Sequence, residues 1–343
     1  MSFNVTIKPS GHQFQPKPEE SVLQGALNNG FGLPYGCRNG ACGSCKGKIL
    51  AGEVDYGKYS PAVLSDAEKA QGMALFCCAK PLSDLEIEVR EVGAIKDIQV
   101  KMLPSRVQTI ERPADDVVVI SLKLPANERL QYLAGQYIEF VLRDGKRRSY
   151  SMANAPHDDA FVQLHIRHLP GGHFTDHVFS KMKERDILRF EGPLGSFFLR
   201  EDSDKPIVFI ASGTGFAPIK AVIEHMLYRD IKRPMTLYWG GRRPKDIYMM
   251  DLCKTWEREA PHIKFIPVVS DALPEDNWSG RTGFVHQAVV DDFPDLSGYQ
   301  VYACGAPVVI NSARRDLVAK CQLPDGEFYA DSFTTEADLA KVV

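Results

Sequence analysis

Long hydrophobic runs are missing from this chain. Its longest apolar stretches, such as residues 117–120 and 207–211, span only a few positions. A membrane helix needs roughly 18–20 consecutive apolar residues, so no spanning segment is expected. The opening MSFNVTIKPS has no basic stretch followed by an apolar core, so no secretory signal is visible. Low-complexity tracts and fixed-period repeats are also lacking, which excludes solenoid and collagen-like architectures. There is no basic surplus either. The 41 Lys and Arg face 44 Asp and Glu, a formal net charge of −3, and a nucleic-acid footprint is not expected. Together these absences lead us to expect a soluble, cytoplasmic protein that binds neither membrane nor nucleic acid.

What is present is an ordinary globular composition, 44% hydrophobic and 25% charged over 343 residues. At roughly 100–200 residues per domain, that length allows two or three domains. Three zones differ in pattern. Residues 1–93 hold five of the eight cysteines. Residues 3–8 and 85–89 alternate as strands do, and 19–28 and 65–71 read as short helices. Ser65 with Glu68 three positions on has the spacing of a capping box. Nine Lys and Arg face ten Asp and Glu here, a net charge of −1. Residues 94–102 read as a linker. Residues 103–203 hold short strands at 105–112, 117–124, 137–142, 148–151, 161–167 and 187–191, the spacing of an antiparallel barrel or sandwich. From 204 to 343, strands at 207–211, 235–239, 263–269 and 300–303 alternate with helices at 218–229, 246–259, 283–290 and 307–321. A last edge strand is expected at 327–333. Repeated β–α units imply a doubly wound parallel sheet.

Eight cysteines in a chain without a secretory signal suggest metal or redox chemistry rather than disulfides. Cys37, Cys42 and Cys45 have the C-x4-C-x2-C spacing, and Cys77 follows 32 positions later. That is the plant-type pattern of a [2Fe–2S] centre. Three thiolates reach one cluster from a single loop only if the loop wraps closely. The interleaved glycines of PYGCRNGACGSCKGK let backbone amides approach the sulfurs. Zinc would call for two close pairs, which this spacing does not provide. Cys78 competes with Cys77 for the fourth position, because neighbours in an extended segment point opposite ways. Cys253 and Cys321 fall in expected helices and read as core.

Further on, Arg148-Ser149-Tyr150-Ser151 follows a basic turn. On a strand Arg148 and Tyr150 share a face, where a guanidinium suits a pyrophosphate and an aromatic ring suits a flavin. Gly171-Gly172-His173-Phe174-Thr175 opens a helix whose amides and hydroxyl suit phosphate oxygens. Gly213-Thr214-Gly215-Phe216-Ala217-Pro218 follows an expected buried strand and opens another helix. Its glycines allow a tight turn close to phosphate, while the sixth position is proline rather than the glycine of the usual dinucleotide fingerprint. Arg242 and Arg243 end the next strand, and Cys304-Gly305 end a later one, where ligands of parallel sheets bind.

These motifs in this order resemble the ferredoxin–NADP reductase superfamily with a plant-type ferredoxin domain at its N-terminus. The resemblance covers nearly the whole chain. It implies a multidomain fold: an α+β β-grasp ferredoxin domain (1–93), an antiparallel β-barrel FAD domain (103–203) and an α/β Rossmann-like NAD(P) domain (204–343). It selects Cys77 as the fourth ligand, because in such ferredoxins that cysteine precedes a proline by four and Ser-Asp by six. It places FAD on Arg148, Tyr150, Ser151, Gly171, Gly172 and Thr175, and the nicotinamide nucleotide on Gly213, Thr214, Gly215, Pro218, Arg242, Cys304 and Gly305. Ser151 and Cys304 then flank the hydride path as catalytic residues, and an aromatic of the terminal segment covers the flavin ring: Phe333, with Phe328 and Tyr329 as alternatives. The cofactors implied are a [2Fe–2S] cluster, FAD and NADH, with NADPH left open by Arg242 and Arg243. The implied activity is an electron-transfer reductase serving an electron-accepting enzyme, either a dehydrase of deoxysugar synthesis or an oxygenase component. A free-flavin reductase and a non-catalytic electron carrier are the competing readings.

Overall fold

The computed structural model describes residues 3–95, 98–335 and 338. Contacts divide the chain into two units, residues 1–98 with 195–197 and 332–343, and residues 99–194 with 198–331.

In the first unit, β1 (Val5–Lys8) alternates buried and half-buried residues and lies parallel to β7 (Leu85–Glu88). β2 (Gln13–Phe14), β3 (Lys46–Ala51) and β5 (Met73–Leu75) complete a five-stranded sheet of order β2-β1-β7-β3-β5. β4 (Val54–Asp55) and β6 (Lys80–Pro81) form a separate pair. Helix α1 (Val22–Asn28) buries Val22, Leu23 and Ala26 into the core with Val5, Ile7, Phe76 and Ile87. Helix α2 (Asp66–Ala70) starts on the expected capping box: the Ser65 hydroxyl accepts from Glu68 N at 3.3 Å, and Ser65 N donates to the Glu68 carboxylate at 2.8 Å.

The second unit opens with six antiparallel strands: β8 (Lys101–Ala114), β9 (Val117–Lys123), β10 (Tyr137–Val141), β11 (Arg147–Ser151), β12 (Val162–Arg167) and β13 (Ile187–Leu194). Their order is β11-β10-β13-β8-β9-β12. A single bridge, Met152 to Leu164, joins the two ends of this sheet. Helix α3 (His173–Ser180) packs Phe174 and Val178 into its core. The remaining strands are β14 (Ile207–Ser212), β15 (Met235–Gly241), β16 (Ile263–Val269), β17 (Arg281–Thr282), β18 (Gln300–Gly305) and β19 (Phe328–Ser332). They form a sheet of order β17-β16-β15-β14-β18-β19, with β14 through β18 paired in parallel. Helices α4 (Phe216–Tyr228), α5 (Met250–Glu259), α6 (Val285–Asp292) and α7 (Pro307–Lys320) alternate with these strands. β14 and β18 are buried almost throughout, as parallel strands covered on both faces are, whereas β16 leaves Lys264 exposed and Ile266 and Pro267 half-buried.

Three sequence expectations need correction. The linker ends early, because Lys101 and Met102 already pair with Gly192 and Glu191 of β13. Helix α5 begins at Met250 rather than 246, because the Asp246 carboxylate accepts from Arg242 N and Arg243 N and closes a tight turn instead. The segment carrying Cys77 and Cys78 is a turn rather than an extended run, with Cys78 N and Ala79 N both donating to Leu75 O at 2.9 Å. Among the described residues no helix is long and apolar enough to cross a membrane.

The capping box predicts a measurable local effect. Ser65→Ala should cost about 1 kcal/mol of α2 stability, read as faster amide hydrogen exchange at Glu68 and Lys69. Unchanged exchange there would show that the box contributes nothing.

Candidate active site

The cysteine loop, residues 36–42, runs through bends without regular structure before β3. Gly40 sits at φ +77°, and a Cβ there would lie 2.7 Å from Lys58 O, so only glycine fits without displacing backbone. The chain entering the loop is held at Tyr35, whose N donates to Ser196 Oγ (2.8 Å) while that hydroxyl donates to Tyr35 O (2.9 Å). The sulfurs come in two pairs. Cys37 N donates to Cys42 Sγ at 3.3 Å, and Cys77 N donates to Cys45 Sγ at 3.4 Å. Cys42 Sγ and Ser44 Oγ lie 3.5 Å apart. Hydrogen bonding from Cys37 draws the Cys42 thiol down to about 7, and bonds from Cys45 and Cys78 draw Cys77 down to about 4. Among the described residues no group of three or more His, Cys, Asp or Glu is arranged to hold one metal ion. All eight cysteines are free of disulfides.

In the second unit, Arg148 and Tyr150 share the more buried face of β11, opposite Phe140 and Ile138 of β10. The Tyr150 ring lies 5.9 Å from Phe140 and 5.6 Å from Phe174, and burial pushes its phenol up. Arg148 Nη1 donates to Arg147 O at 2.8 Å. Arg147 itself bridges Glu139 and Glu191. Gly171 and Gly172 lead into α3, Gly172 as its N-cap. The Thr175 hydroxyl donates to Leu169 O (2.9 Å) and accepts from Leu169 N (3.2 Å), so it closes this turn rather than standing open. The first N–H groups of α3 have no intrahelical partner by helix geometry.

Gly213, Thr214 and Gly215 form a tight turn between β14 and α4, and Pro218 falls in the first turn of that helix. Because Ala211 pairs with Cys304 in the neighbouring strand, the Gly215 and Cys304 backbones press together. A Cβ on Gly215 would lie 2.1 Å from Cys304 O, and one on Gly305 would lie 2.6 Å from Ser212 O. Trp239 Nε1 donates to Gly213 O at 3.1 Å, while its ring stacks on Phe216 at 3.8 Å. Arg242, at the end of β15, is exposed, with Nη2 3.7 Å from Asp271 Oδ2. Arg243 is committed to Asp276 through Nε (2.5 Å) and Nη2 (2.8 Å).

The structure brings Ser151 and Cys304 onto one group that the sequence reading missed. Ser151 Oγ donates to Asp331 Oδ2 at 3.1 Å, and Cys304 Sγ lies 4.0 Å from the same oxygen. All three residues are buried. Burial raises the Asp331 carboxyl to about 6, against the lowering effect of the Ser151 bond. Burial, with the Asp331 charge beside it, holds the Cys304 thiol well above its usual range. The sequence signal is the acidic residue among the aromatics of the FYADSF segment. Two further buried polar groups lie nearby. Lys220 Nζ donates to Ala153 O (3.1 Å) and Glu224 (2.8 Å). His165 Nδ1 is 2.8 Å from Tyr248 OH, and burial, with the Lys220 charge, takes it down to about 3. Phe333 is half-buried just past β19.

Comparison with known proteins places the chain in a class. Residues 5–82 match a 2Fe-2S iron-sulfur cluster binding domain, 104–199 an oxidoreductase FAD-binding domain and 209–315 an oxidoreductase NAD-binding domain. The class is therefore an oxidoreductase with a ferredoxin part and an FAD/NAD-binding reductase part, whose cofactors are [2Fe–2S], FAD and NAD(H). A CDP-6-deoxy-L-threo-D-glycero-4-hexulose-3-dehydrase reductase from Yersinia pseudotuberculosis is 40% identical, covering 97% of this chain and 99% of that protein. Component 2 of the terephthalate 1,2-dioxygenase reductase from Comamonas sp is 34% identical over 98% of both. The crystal structure of an Amycolatopsis cytochrome P450 reductase superposes with a TM-score of 0.77 at 32% identity, covering 97% of this chain and 99% of that one. The chain belongs to the family of iron–sulfur flavoprotein reductases that these relatives represent.

The raised Asp331 carboxyl carries a pH signature. A folded value near 6 against roughly 3.9 in an unfolded chain favours the protonated form in the fold. That stabilisation is full below about pH 4 and is lost as pH rises through about 6. Asp331→Asn should therefore raise neutral-pH stability by roughly 1–3 kcal/mol and flatten the pH 4–6 slope. Urea melts followed by tryptophan fluorescence report on this unit alone, since Trp239, Trp256 and Trp278 all lie in it. An unchanged slope would refute the assignment.

Proposed function

We propose that this chain is an NADH-dependent reductase that passes electrons through FAD and a [2Fe–2S] cluster to a partner enzyme. The observation that carries it is the Ser151–Asp331–Cys304 contact, which joins the strand of the flavin motif to the strand end of the nucleotide motif. Bound NADH supplies a hydride, bound FAD accepts it and releases electrons singly, and the bound cluster hands them on one at a time. In this reading the six antiparallel strands are the FAD barrel, the parallel sheet is the Rossmann-like NAD domain and the five-stranded sheet with α1 is a β-grasp ferredoxin. The proposed domain bounds are 1–93, 103–203 and 204–343 with a linker at 94–102, whose last two residues already belong to β8.

The residues fit these groups. Two sulfur pairs, each receiving a backbone N–H, suit two irons with two protein ligands apiece, Cys37 with Cys42 and Cys45 with Cys77. Arg148 offers its guanidinium and Tyr150 its ring to the flavin nucleotide, and the amides after Gly171 and Gly172 face its phosphates. Thr175 holds that turn closed through Leu169. The turn of Gly213, Thr214 and Gly215, with Pro218 in the first turn of α4, receives the dinucleotide phosphates beside Cys304 and Gly305. Ser151 presents its hydroxyl to the reacting ring, oriented by Asp331, and Cys304 walls the other side and excludes water. For Phe333 the support is its place in the sequence, two residues after Asp331. Eight free cysteines suit a reducing compartment, the cytoplasm.

The partner is proposed to be a dehydrase of deoxysugar synthesis, in the manner of CDP-6-deoxy-Δ3,4-glucoseen reductase, supported by the 40% identity to a hexulose-dehydrase reductase. An oxygenase component is the second reading, supported by the dioxygenase reductase at 34%. Turnover reconstituted with each purified partner separates them.

Two tests address the electron path. Cys45→Ser should leave flavin reduction by NADH within about twofold and cut delivery to a one-electron acceptor by at least about tenfold. Full delivery without the cluster would sink the proposed order. Nucleotide choice follows from charge: Arg243 is already neutralised by Asp276, and Arg242 faces Asp271. A 2′-phosphate would meet these carboxylates, whereas a ribose 2′-hydroxyl would not be repelled. Stopped-flow flavin reduction should favour NADH over NADPH by at least about tenfold, and a preference for NADPH would overturn this.

A further inference from the structure

The turn at residues 76–79 presents two adjacent thiols where the cluster reading needs one. Cys77 Sγ and Cys78 Sγ lie 3.5 Å apart. The reason is local. Both Cys78 N and Ala79 N donate to Leu75 O, and this tight turn abolishes the alternation that would send neighbouring side chains to opposite faces. Cys78 is half-buried rather than sequestered in the apolar core. Its sulfur packs on the cysteine loop itself: a Cβ on Gly40 would lie 3.0 Å from Cys78 Sγ. Gly40 stands between Cys37 and Cys42, so Cys78 touches both segments that supply the four ligands. Its thiol also lies within electrostatic reach of Cys42 as well as Cys77.

We infer that Cys78 is a reserve ligand of the cluster, able to replace Cys77 as the fourth thiolate without unfolding the loop. The inference rests on reading Cys37, Cys42, Cys45 and Cys77 as the resident set. The exchange is a ligand substitution with no change in oxidation state. Cys78 gives up its thiol proton, its sulfur forms the iron–sulfur bond that Cys77 vacates, and the freed Cys77 thiolate, where present, takes that proton. A thiol that merely fills space would not be able to do this.

The test compares full-length Cys77→Ala, Cys78→Ala and the double variant. Iron and acid-labile sulfide per flavin are measured, with the EPR spectrum of the reduced protein and amide exchange across residues 36–45 and 76–79. Cys78→Ala should keep its iron within about twofold and an unchanged spectrum. Cys77→Ala should also keep its iron within about twofold, with shifted g-values. The double variant should lose iron about tenfold or more. Cys77→Ala as iron-poor as the double variant overturns the inference, as does a double variant that retains its iron. Loss of iron in Cys78→Ala alone, with an unchanged Cys77→Ala spectrum, overturns instead the choice of Cys77 as resident ligand, and the inference with it. Should alanine at 77 disorder the loop, Cys77→Ser and Cys77→Ser/Cys78→Ala give the same comparison at conserved side-chain volume.

Discussion

The parallel pairing of β14 with β18 is the constraint on which the glycine turn and the Cys304–Gly305 strand end depend. It sets Ala211 opposite Cys304, so the glycine turn and the Cys304–Gly305 strand end emerge side by side. The pairing tolerates no side chain at Gly215, whose Cβ would overlap the Cys304 carbonyl. Everything at that edge follows from this approach. The turn is tight because the backbone is crowded, and Trp239 locks it from behind through the Gly213 carbonyl. The Phe216–Trp239 stack then fixes where α4 begins.

The ferredoxin part solves a different problem with the same means. Its loop has no regular structure to hold it, so the sulfurs are fixed by backbone N–H donors and by chain ends tied to buried neighbours such as Tyr35 and Phe76. Hydrogen bonds to sulfur lower the cost of gathering several thiolates in one place. The hydrophobic cluster of Val5, Ile7, Phe76 and Ile87 supplies the rigid floor under the loop.

Much of this was legible in the sequence because it depends on local pattern. The buried parallel strands announce themselves as continuous apolar runs, and Ser65 with Glu68 is a capping box at both levels. The cysteine spacing is a chain-geometry signal, and in the structure Cys37 N meets Cys42 Sγ and Cys77 N meets Cys45 Sγ. Other features were hidden for physical reasons. Strands of two residues, such as β2 and β17, are too short to carry a period. The turn at Cys77–Cys78 is set by a carbonyl at Leu75 rather than by turn-forming side chains. Asp331, Lys220 and His165 are polar residues whose burial arises only in tertiary structure, so nothing in their neighbours marks them.

The bond between Ser151 and Asp331 joins positions 180 residues apart, and Asp331 lies on β19, the outermost strand of its sheet. On the ribosome the strand carrying Ser151 leaves the exit tunnel long before its acidic partner has been made. A nascent chain can therefore collapse around its six antiparallel strands while the Ser151 hydroxyl still lacks its anchor. Closure of the Ser151–Asp331 bond is consequently a late event in biogenesis, coupled to docking of an edge strand. The same peripheral position makes that strand among the first to fray under stress, so the Ser151–Asp331 bond should open before the core collapses.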